Sequence, residues 1–438
     1  MIKLYLSLYI GKLVNLFCRF VPFIGGSALP GLVALKINPT LINQIRLRNQ
    51  LKTIVITGTN GKTTTSRLTS HFLDLAHLKH LHNRSGSNLL RGVASTLINQ
   101  SNLSAKLPAK IAIFELDEAV VPGAIKSLKP EIILFTNLFR DQLDRYGEID
   151  TLLSIWQQSL KLLPSNSTVI YNCDDPSLNH LASTVKQKII SYGLPKNKSS
   201  KQTLSASADA IFCPLCHQPL TYQVIFTSHL GHYHCSNCHF KRTTPTLKFD
   251  DINTSLPGLH NLYNIQAAKS IANLLKLKLN LNQALTSFKP AFGRAEKFKL
   301  GQLYTNILLV KNPTGFNVTL ETLKKNNQLS QPLLLILNDK IADGTDVSWI
   351  WDVDFSLLTS RSTPVIVSGT RYLDLALRLK YAGLESSLVT PEPKLKKAIK
   401  LLSKQKGEFA YILPTYTAML SLRKILVNQK LIHSTWED

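Results

Sequence analysis

Acidic residues are scarce in this sequence. Its 438 residues contain 27 Asp and Glu against 51 Lys and Arg, which gives a formal net charge of +24 and a pI near 9.7. Such an excess favours polyanionic partners: nucleic acid, an anionic membrane surface, a phosphorylated substrate or an acidic protein. A generally basic proteome would produce the same excess, so the charge alone assigns no function.

The sequence also lacks an uncharged apolar run long enough to cross a membrane. Residues 1–24 are largely apolar, but Lys3, Lys12 and Arg19 interrupt them, and a spanning helix needs roughly 20 such residues. No small-residue cleavage site follows, which excludes a typical export signal and predicts a cytoplasmic protein.

The same N-terminal segment predicts an amphipathic helix. Its polar residues Lys12, Asn15 and Arg19 lie opposite an apolar face on a helical wheel. This pattern is typical of a helix in a membrane interface and equally of a helix docked on its own protein. The apolar face contains Leu6, Leu13, Leu16, Phe17 and Phe20.

The order of the apolar segments predicts an α/β protein with two main domains. At about 150 residues per domain, the length corresponds to two or three domains. Short strand patterns alternate with helical ones, which predicts a mainly parallel sheet with helices on both faces. We predict an N-terminal segment at 1–45, a central domain at 46–299 and a C-terminal α/β domain at 300–438. The predicted strands are 53–57, 111–116, 132–136, 168–171 and 188–191, then 303–310, 333–337, 365–368 and 409–413.

A glycine loop lies between the first of these strands and a helical segment. A nucleoside triphosphate needs backbone amides at a helix N-terminus, a lysine for its terminal phosphates and a hydroxyl for Mg²⁺. The loop offers all three, although two residues separate its glycines where the common phosphate loop has four. Thr63 is the predicted Mg²⁺ ligand. The predicted ATP-binding residues are Gly58, Thr59, Asn60, Gly61, Lys62, Thr63 and Thr64.

Four of the six cysteines form two Cys-x-x-Cys pairs, Cys213 with Cys216 and Cys235 with Cys238. Pairs at this spacing are typical of a tetrahedral zinc ribbon, and disulfides, the alternative, are disfavoured in a reducing cytosol. Four thiolates fill the coordination sphere, so we predict a structural zinc. The change of composition around the pairs places them in an inserted module at about 202–249.

The loop Gly58-Thr-Asn-Gly-Lys-Thr-Thr-Thr65 resembles that of the Mur ligase superfamily, and further matches follow in the family's order. Glu115, at the end of an apolar strand, matches the catalytic, Mg²⁺-binding glutamate. Asn264 matches the residue that meets the adenine, and Arg294 the arginine that reaches the nucleotide phosphates. The resemblance implies that ATP phosphorylates a carboxylate and that an amine then attacks the acyl phosphate.

Within the superfamily the chain resembles the MurT branch, the ligase subunits of lipid II isoglutaminyl synthases. A Cys₄ ribbon inside the core, too short an N-terminal segment for a UDP-binding domain, and the aspartate-rich run at 339–354 carry this resemblance. It implies ATP-dependent amidation of the D-glutamate α-carboxylate of the lipid II stem peptide to D-isoglutamine, a step of peptidoglycan biosynthesis.

The branch also implies a heterodimer with a glutaminase subunit, GatD, which supplies ammonia. No cysteine of this chain lies in a glycine-flanked nucleophile turn, so the chain has no glutaminase signature of its own. In the branch an aspartate of the C-terminal domain completes the partner's active site. We assign this role to Asp352, with Asp354 and Asp346 as alternatives. The basic surface and the apolar N-terminal helix would suit contact with the inner face of the membrane.

Some positions depart from the superfamily pattern. Gln142 stands where the family has a histidine, and Trp156 stands about where many members carry a carbamylated lysine. Two other functions compete. One is a different amide ligase of the superfamily, such as a folylpolyglutamate synthase. The other is a nucleic-acid-binding ATPase, although no basic-aromatic stacking surface is evident and no nucleic acid is expected.

Overall fold

The structure is a computed structural model. It describes all residues except 1, 21–27, 84–86, 141–148, 197–203, 205–207, 250, 251, 253, 255, 257, 289–293 and 433–438, and the side chains of 19, 20, 294 and 295. The chain forms two compact units. The first comprises Met1–Phe139, Glu148–Thr203 and Ala210–Lys289, and the second Arg140–Gly147, Leu204–Asp209 and Pro290–Asp438.

A six-stranded parallel sheet forms the centre of the first unit. Its strands are β1 (Lys52–Thr57), β2 (His80–His82), β3 (Ile111–Glu115), β4 (Ile132–Phe135), β5 (Thr168–Asn172) and β6 (Lys188–Tyr192). They lie in the order β2-β3-β1-β4-β5-β6. In β1, Val55 faces one helical layer while Ile54 and Ile56 face the other, as the two-residue repeat of a strand requires. The loops after β1, β3 and β4 meet at one edge because the strands are parallel.

Helices cover both faces of this sheet. One layer contains α1 (Ile2–Phe20), α2 (Leu29–Ile37), α3 (Leu41–Asn49), α5 (Leu90–Gln100), α6 (Val121–Leu128), α7 (Ile149–Leu160) and α8 (Pro176–Ser183). The other contains α4 (Lys62–Leu75), α9 (Leu259–Leu274) and α10 (Leu281–Ser287), together with the hairpin β7 (Thr221–Thr227) and β8 (Leu230–His234). The predicted sheet with helices on both faces is confirmed.

The N-terminal helix α1 docks on its own protein. Leu4 and Leu8 are buried in the core. The ammonium of Lys12, which was predicted to lie opposite the apolar face, donates to the carbonyls of Ile98 and Ser101. Cations are stabilised near helix C-termini, and these carbonyls lie at the end of α5. Within the described residues, no helix is long and apolar enough to span a membrane.

The second unit contains a six-stranded sheet of its own. Its strands are β9 (Arg294–Leu300), β10 (Leu303–Leu308), β11 (Leu333–Ile336), β12 (Val365–Ser368), β13 (Val389–Pro391) and β14 (Phe409–Pro414). The order is β13-β12-β11-β14-β10-β9, and β9 is the antiparallel edge strand. Strand β9 pairs with β10 and belongs to the second unit. The second unit therefore begins before residue 300, which was the predicted start of the C-terminal domain. Its helices are α11 (Pro313–Lys325), α12 (Tyr372–Tyr381), α13 (Leu395–Leu402) and α14 (Tyr416–Asn428).

Candidate active site

The glycine loop connects β1 directly to α4. Gly58 and Gly61 have φ values of +120° and +88°, in the left-handed region that side chains disfavour. A Cβ at Gly58 would lie 2.3 Å from the Thr136 hydroxyl, and one at Gly61 would lie 2.1 Å from the Asn264 amide oxygen. The loop therefore needs glycine at both positions. The first turn of α4, which includes Thr64, follows at once and presents its positive dipole end to the loop.

The segment after β4 fixes the loop from the side. The amide N–H of Asn60 donates to the side chain of Asn137 over 2.9 Å, and the Asn137 side chain donates back to the Asn60 carbonyl over 3.0 Å. The hydroxyl of Thr59 donates to the Phe139 carbonyl and accepts from the Phe139 amide. A backbone fixed in this way is preorganised for phosphate.

The loop lysine is bound to a carboxylate. Its ammonium, Lys62 Nζ, lies 3.0 Å from Glu118 Oε2, and it also donates to the carbonyls of Gly58 and Thr59. Glu118 lies just after β3, and its backbone carbonyl accepts from the indole N–H of Trp156 over 3.0 Å. Trp156 therefore holds the backbone of Glu118.

A second carboxylate meets the loop hydroxyl. Thr63 Oγ1 donates to Glu115 Oε1 over 2.7 Å, and Asn88 and Ser66 donate to the two oxygens of the same carboxylate over 3.0 and 3.3 Å. The backbone of Glu115 is fixed in turn by paired 2.9 Å bonds with the Asn83 side chain. Adjacent hydroxyl and carboxylate oxygens are the donors that Mg²⁺ prefers, so Thr63 and Glu115 could hold this ion.

The last two predicted ATP-binding residues, Asn264 and Arg294, lie outside the glycine loop. Asn264 lies on α9 and is buried against the loop, where its amide oxygen accepts from Thr65 over 3.4 Å and its amide donates to Asn261 over 3.2 Å. Arg294 is the first residue of β9, and its side chain lies outside the described residues, as does Gln142.

The four predicted zinc ligands converge. All four thiol sulfurs of Cys213, Cys216, Cys235 and Cys238 lie within 4.8 Å of one another, and no disulfide joins them. His217 and His239, which follow the second cysteine of each pair, have left-handed backbones with φ of 58° and 61°. They shape the two knuckles, and within the described residues no histidine joins the thiol group.

Two cysteines of this group, Cys216 and Cys238, have pKa values that are shifted in opposite directions. Hydrogen bonds from the Asn237 side chain and the Gln218 backbone lower the pKa of Cys216 to about 6. The backbone N–H of Phe240 lowers the pKa of Cys238, but burial and hydrogen bonds from the other thiols outweigh it and raise this pKa to about 12. A bound divalent cation would favour the thiolate form of all four cysteines. The donor set fits zinc.

A buried carboxylate connects the ribbon to the nucleotide helix. Asp174 accepts from Arg242, which follows the second cysteine pair, from the Leu194 amide over 2.8 Å, and from the Tyr263 hydroxyl over 2.7 Å. Tyr263 precedes Asn264 on α9. Burial and the Asp174 carboxylate raise the pKa of Tyr263 well above its usual value, so the phenol stays protonated and donates.

Three predicted aspartates lie in the second unit. Asp346 accepts from the amide and hydroxyl of Ser348, and Asp354 accepts from the Ser356 hydroxyl. Asp352 ends a 3₁₀ helix (Ser348–Asp352) with its side chain 42% exposed. Its carboxylate pairs with Arg140 at 3.8 Å. Asp352 therefore differs from the other two in that its carboxylate pairs with an arginine and not with a nearby serine.

Trp351, the exposed aromatic residue next to Asp352 in the sequence, packs on an exposed apolar face of α12. Leu373, Leu377 and Tyr381 are four residues apart on α12 and share one face, and the ring of Trp351 lies 5.6 Å from that of Tyr381. We call Trp351, Leu373, Leu377 and Tyr381 the C-terminal patch. Its aromatic content is typical of a protein interface.

Comparisons with known proteins agree with this geometry. Two family domains match the chain: the Mur ligase middle domain at residues 56–272 and the MurT ligase C-terminal domain at residues 309–419. The lipid II isoglutaminyl synthase (glutamine-hydrolyzing) subunit MurT of Streptococcus pneumoniae is 33% identical over 426 residues, which cover 93% of this chain and 94% of that protein. This chain belongs to the MurT family. The MurT subunit of Staphylococcus aureus is also 33% identical, over 417 residues that cover 90% of this chain and 91% of that protein.

The fold of this MurT family member recurs in more distant solved structures. A pseudomurein peptide ligase type C from Methanothermus fervidus has a TM-score of 0.66 and 21% identity, covering 88% of this chain and 80% of that one. MurF ligase from Thermotoga maritima, solved with ADP, has a TM-score of 0.60 and 13% identity, covering 91% and 85%. At these identities the likeness shows the fold alone, and it confirms the Mur ligase fold.

Glu118 was not among the predicted site residues of this MurT family member. Only one acidic residue of this segment was predicted, Glu115 at the end of β3, because the family motif names one. A second signal was present: Glu118 follows three residues after the end of the same buried strand. Acidic residues at this sheet edge lie near the phosphate loop.

Proposed function

We propose that this protein is the ligase subunit of a glutamine-hydrolysing lipid II isoglutaminyl synthase. It uses ATP to amidate the α-carboxylate of D-glutamate in the lipid II stem peptide. The observation that carries the proposal is the Thr63–Glu115 pair beside Lys62 on the glycine loop, in a chain that belongs to the MurT family.

The chemistry follows from these side chains. The substrate carboxylate attacks the γ-phosphorus of ATP, and the bond between this phosphorus and the oxygen of the β-phosphate breaks. ADP departs, and the substrate becomes an acyl phosphate. Ammonia then attacks the acyl carbon, phosphate departs and a proton is released. Lys62 stabilises the charge on the transferring phosphoryl group, while Asn264, which is buried against the loop, would contact the adenine. Thr63 and Glu115 would hold Mg²⁺, which would supply positive charge beside the transferring phosphoryl group.

We assign a structural zinc ion to the four cysteines. Four converging thiols would fill a tetrahedral coordination sphere, so the metal would stabilise the module and not act on substrate.

The ammonia comes from a glutaminase subunit bound at the C-terminal patch. The patch offers Trp351 and Tyr381, residue types enriched at interfaces, and Asp352 lies next to it in the chain. A partner seated there would place a histidine within reach of the Asp352 carboxylate. Because ATP is an intracellular substrate and lipid II is embedded in the membrane, we place the reaction in the cytoplasm at the inner face of the membrane.

One experiment tests the whole proposal. The chain is purified with its glutaminase partner, given lipid II, ATP and glutamine, and the lipid II is analysed by mass spectrometry. The expected product carries an amide in place of one carboxylate and forms only with ATP. Addition of an amino acid residue would indicate a different amide ligase, and unchanged lipid II with ATP consumed on another carboxylate would contradict the substrate assignment.

A further inference from the structure

Helix α1 (Ile2–Phe20) has two apolar faces. The inner face packs on α2 and α5, with Leu4, Ser7 and Leu8 buried. A Cβ at Gly11 would lie 2.8 Å from a methyl group of Ile98, so the helix lies as close to α5 as a glycine allows. The inner face therefore accounts for the docking of this helix.

The second face points away from the protein. Its side chains recur at helical spacing, so they fall within an arc of about 100° opposite the buried residues. No charged residue interrupts them. We call this set the outer stripe: Ile2, Leu6, Tyr9, Leu13, Leu16 and Phe17, which are 43–85% exposed.

A helix that is apolar on both faces is normally enclosed on both. Among the described residues nothing covers the outer stripe, although these six side chains extend along a helix about 28 Å long. A continuous apolar surface of this kind marks a site of interaction with a protein or a membrane.

The helices behind the stripe are basic. Asp74 is the only acidic residue before Glu115, a stretch that contains fourteen Lys and Arg. Helices α1, α2, α3 and α5 therefore contain no carboxylate side chain. Lys3 of α1 is exposed beside the stripe. The guanidinium of Arg48, on α3, lies 5.7 Å from the ring centre of Tyr5, on α1.

We propose that α1 docks this protein onto anionic phospholipid membranes through the outer stripe. The stripe enters the boundary between head groups and acyl chains, while the basic helices behind it attract anionic lipid. A second copy of this chain fits the surface less well, because it would bring two carboxylate-free basic layers together.

This proposal goes beyond the catalytic function. Binding to lipid needs neither ATP nor turnover, so the two proposals can fail separately. The helix is held on the protein by its inner face, which means that docking orients the whole first unit against the bilayer.

The test is co-sedimentation of the full chain with vesicles of phosphatidylcholine alone and of phosphatidylcholine with phosphatidylglycerol. We expect binding to the anionic vesicles, weakened by salt. Leu13→Glu should reduce this binding about tenfold or more, since a buried leucine side chain contributes roughly that factor to membrane transfer. Leu162→Glu is the matched control, because it places the same charge at an exposed leucine outside α1.

Several outcomes would overturn the proposal. Among them are a parent chain that stays in solution with anionic vesicles, and equal losses for Leu13→Glu and Leu162→Glu. If vesicle binding persists in Leu13→Glu while self-association or glutaminase binding is lost in sedimentation velocity, the stripe is a protein interface. Thermal melts exclude unfolding, and Phe17→Glu supplies an independent second variant.

Discussion

The ammonium of Lys62 lies 3.0 Å from the carboxylate of Glu118, and the two side chains are only 9% and 5% exposed. A buried charge is costly unless it is paired. Glu118 therefore compensates the loop lysine before a nucleotide arrives. The phosphates of ATP would supply negative charge to the same ammonium.

Glu118→Gln should destabilise the nucleotide-free protein and increase the stabilisation that MgATP or MgADP provides. The amide leaves the Lys62 ammonium buried without a counter-charge, which costs about 3 kcal/mol, whereas bound phosphates restore one. Thermal melts with and without nucleotide measure both effects. An equal loss of stability in the two conditions would show that Glu118 has no special relation to the phosphate site.

Lys62→Ala should abolish ATP-dependent amidation, with a loss of at least about 10²-fold, because the transferring phosphoryl group loses its main cation. The substitution also removes the ammonium that pairs with the buried Glu118 carboxylate. The double variant Lys62→Met/Glu118→Gln is therefore the folding control. It should melt near the parent temperature and remain inactive. Activity near the parent rate in the double variant would remove Lys62 from the reaction.

Glu115→Ala should raise the Mg²⁺ concentration needed for turnover or abolish activity, because the Thr63 hydroxyl would lose the carboxylate that meets it at 2.7 Å. Initial rates over a Mg²⁺ titration measure the effect. Glu131→Gln is the control. The Glu131 carboxylate accepts from the amide of Thr53, in β1 of the same sheet. A Mg²⁺ dependence shared by both variants would argue against a metal role for Glu115.

Asp352→Asn should suppress amidation with glutamine and preserve amidation with ammonium salts. A carboxylate that orients a catalytic histidine can contribute about 10⁴-fold in related triads, and the acyl phosphate forms at a separate site. Rates with the two nitrogen sources measure the difference. Asp346→Asn and Asp354→Asn are matched controls, since both carboxylates bind nearby serines. Equal loss with both nitrogen sources would place Asp352 in the ligase reaction or the fold.

Elemental analysis should find about one Zn²⁺ per chain, and Cys216→Ser should unfold the ribbon. Structural zinc in small modules supplies on the order of 10 kcal/mol of folding free energy. Near-ultraviolet circular dichroism, recorded while a chelator removes the zinc, measures the loss of the folded ribbon. A metal-free chain with the parent melting temperature would contradict the zinc assignment.

Much of the fold could be predicted because buried parallel strands leave a strong apolar signal. All nine predicted strands exist, within one or two residues of their predicted ends. The strands β2 and β13 were missed because three residues at a sheet edge show no period. Strand β9 was missed as well, because its Arg, Glu and two Lys residues obscure the apolar alternation.

The glycine loop and the cysteine pairs were predictable because each is a local pattern with a fixed spacing. The Lys62–Glu118 pair joins residues 56 positions apart, and the Asp174–Arg242 pair joins residues 68 apart. No local pattern reveals such pairs. Lys12 shows the same limit: a helical wheel placed it on a polar face, but no local pattern indicated that the carbonyls at the end of α5 bind it.

The Asp174 network has a consequence for anyone who shortens this chain. The ribbon is an insertion in sequence, but the strand-end carboxylate at Asp174 depends on Arg242, and the Asp174 carbonyl accepts from Gly231 of the hairpin. A deletion that rejoins the chain around residues 202–249 would leave this carboxylate buried without its cation. The ribbon module therefore cannot be removed without destabilising the first unit. A minimal version of this ligase has to keep the ribbon, even for an assay of nucleotide binding alone.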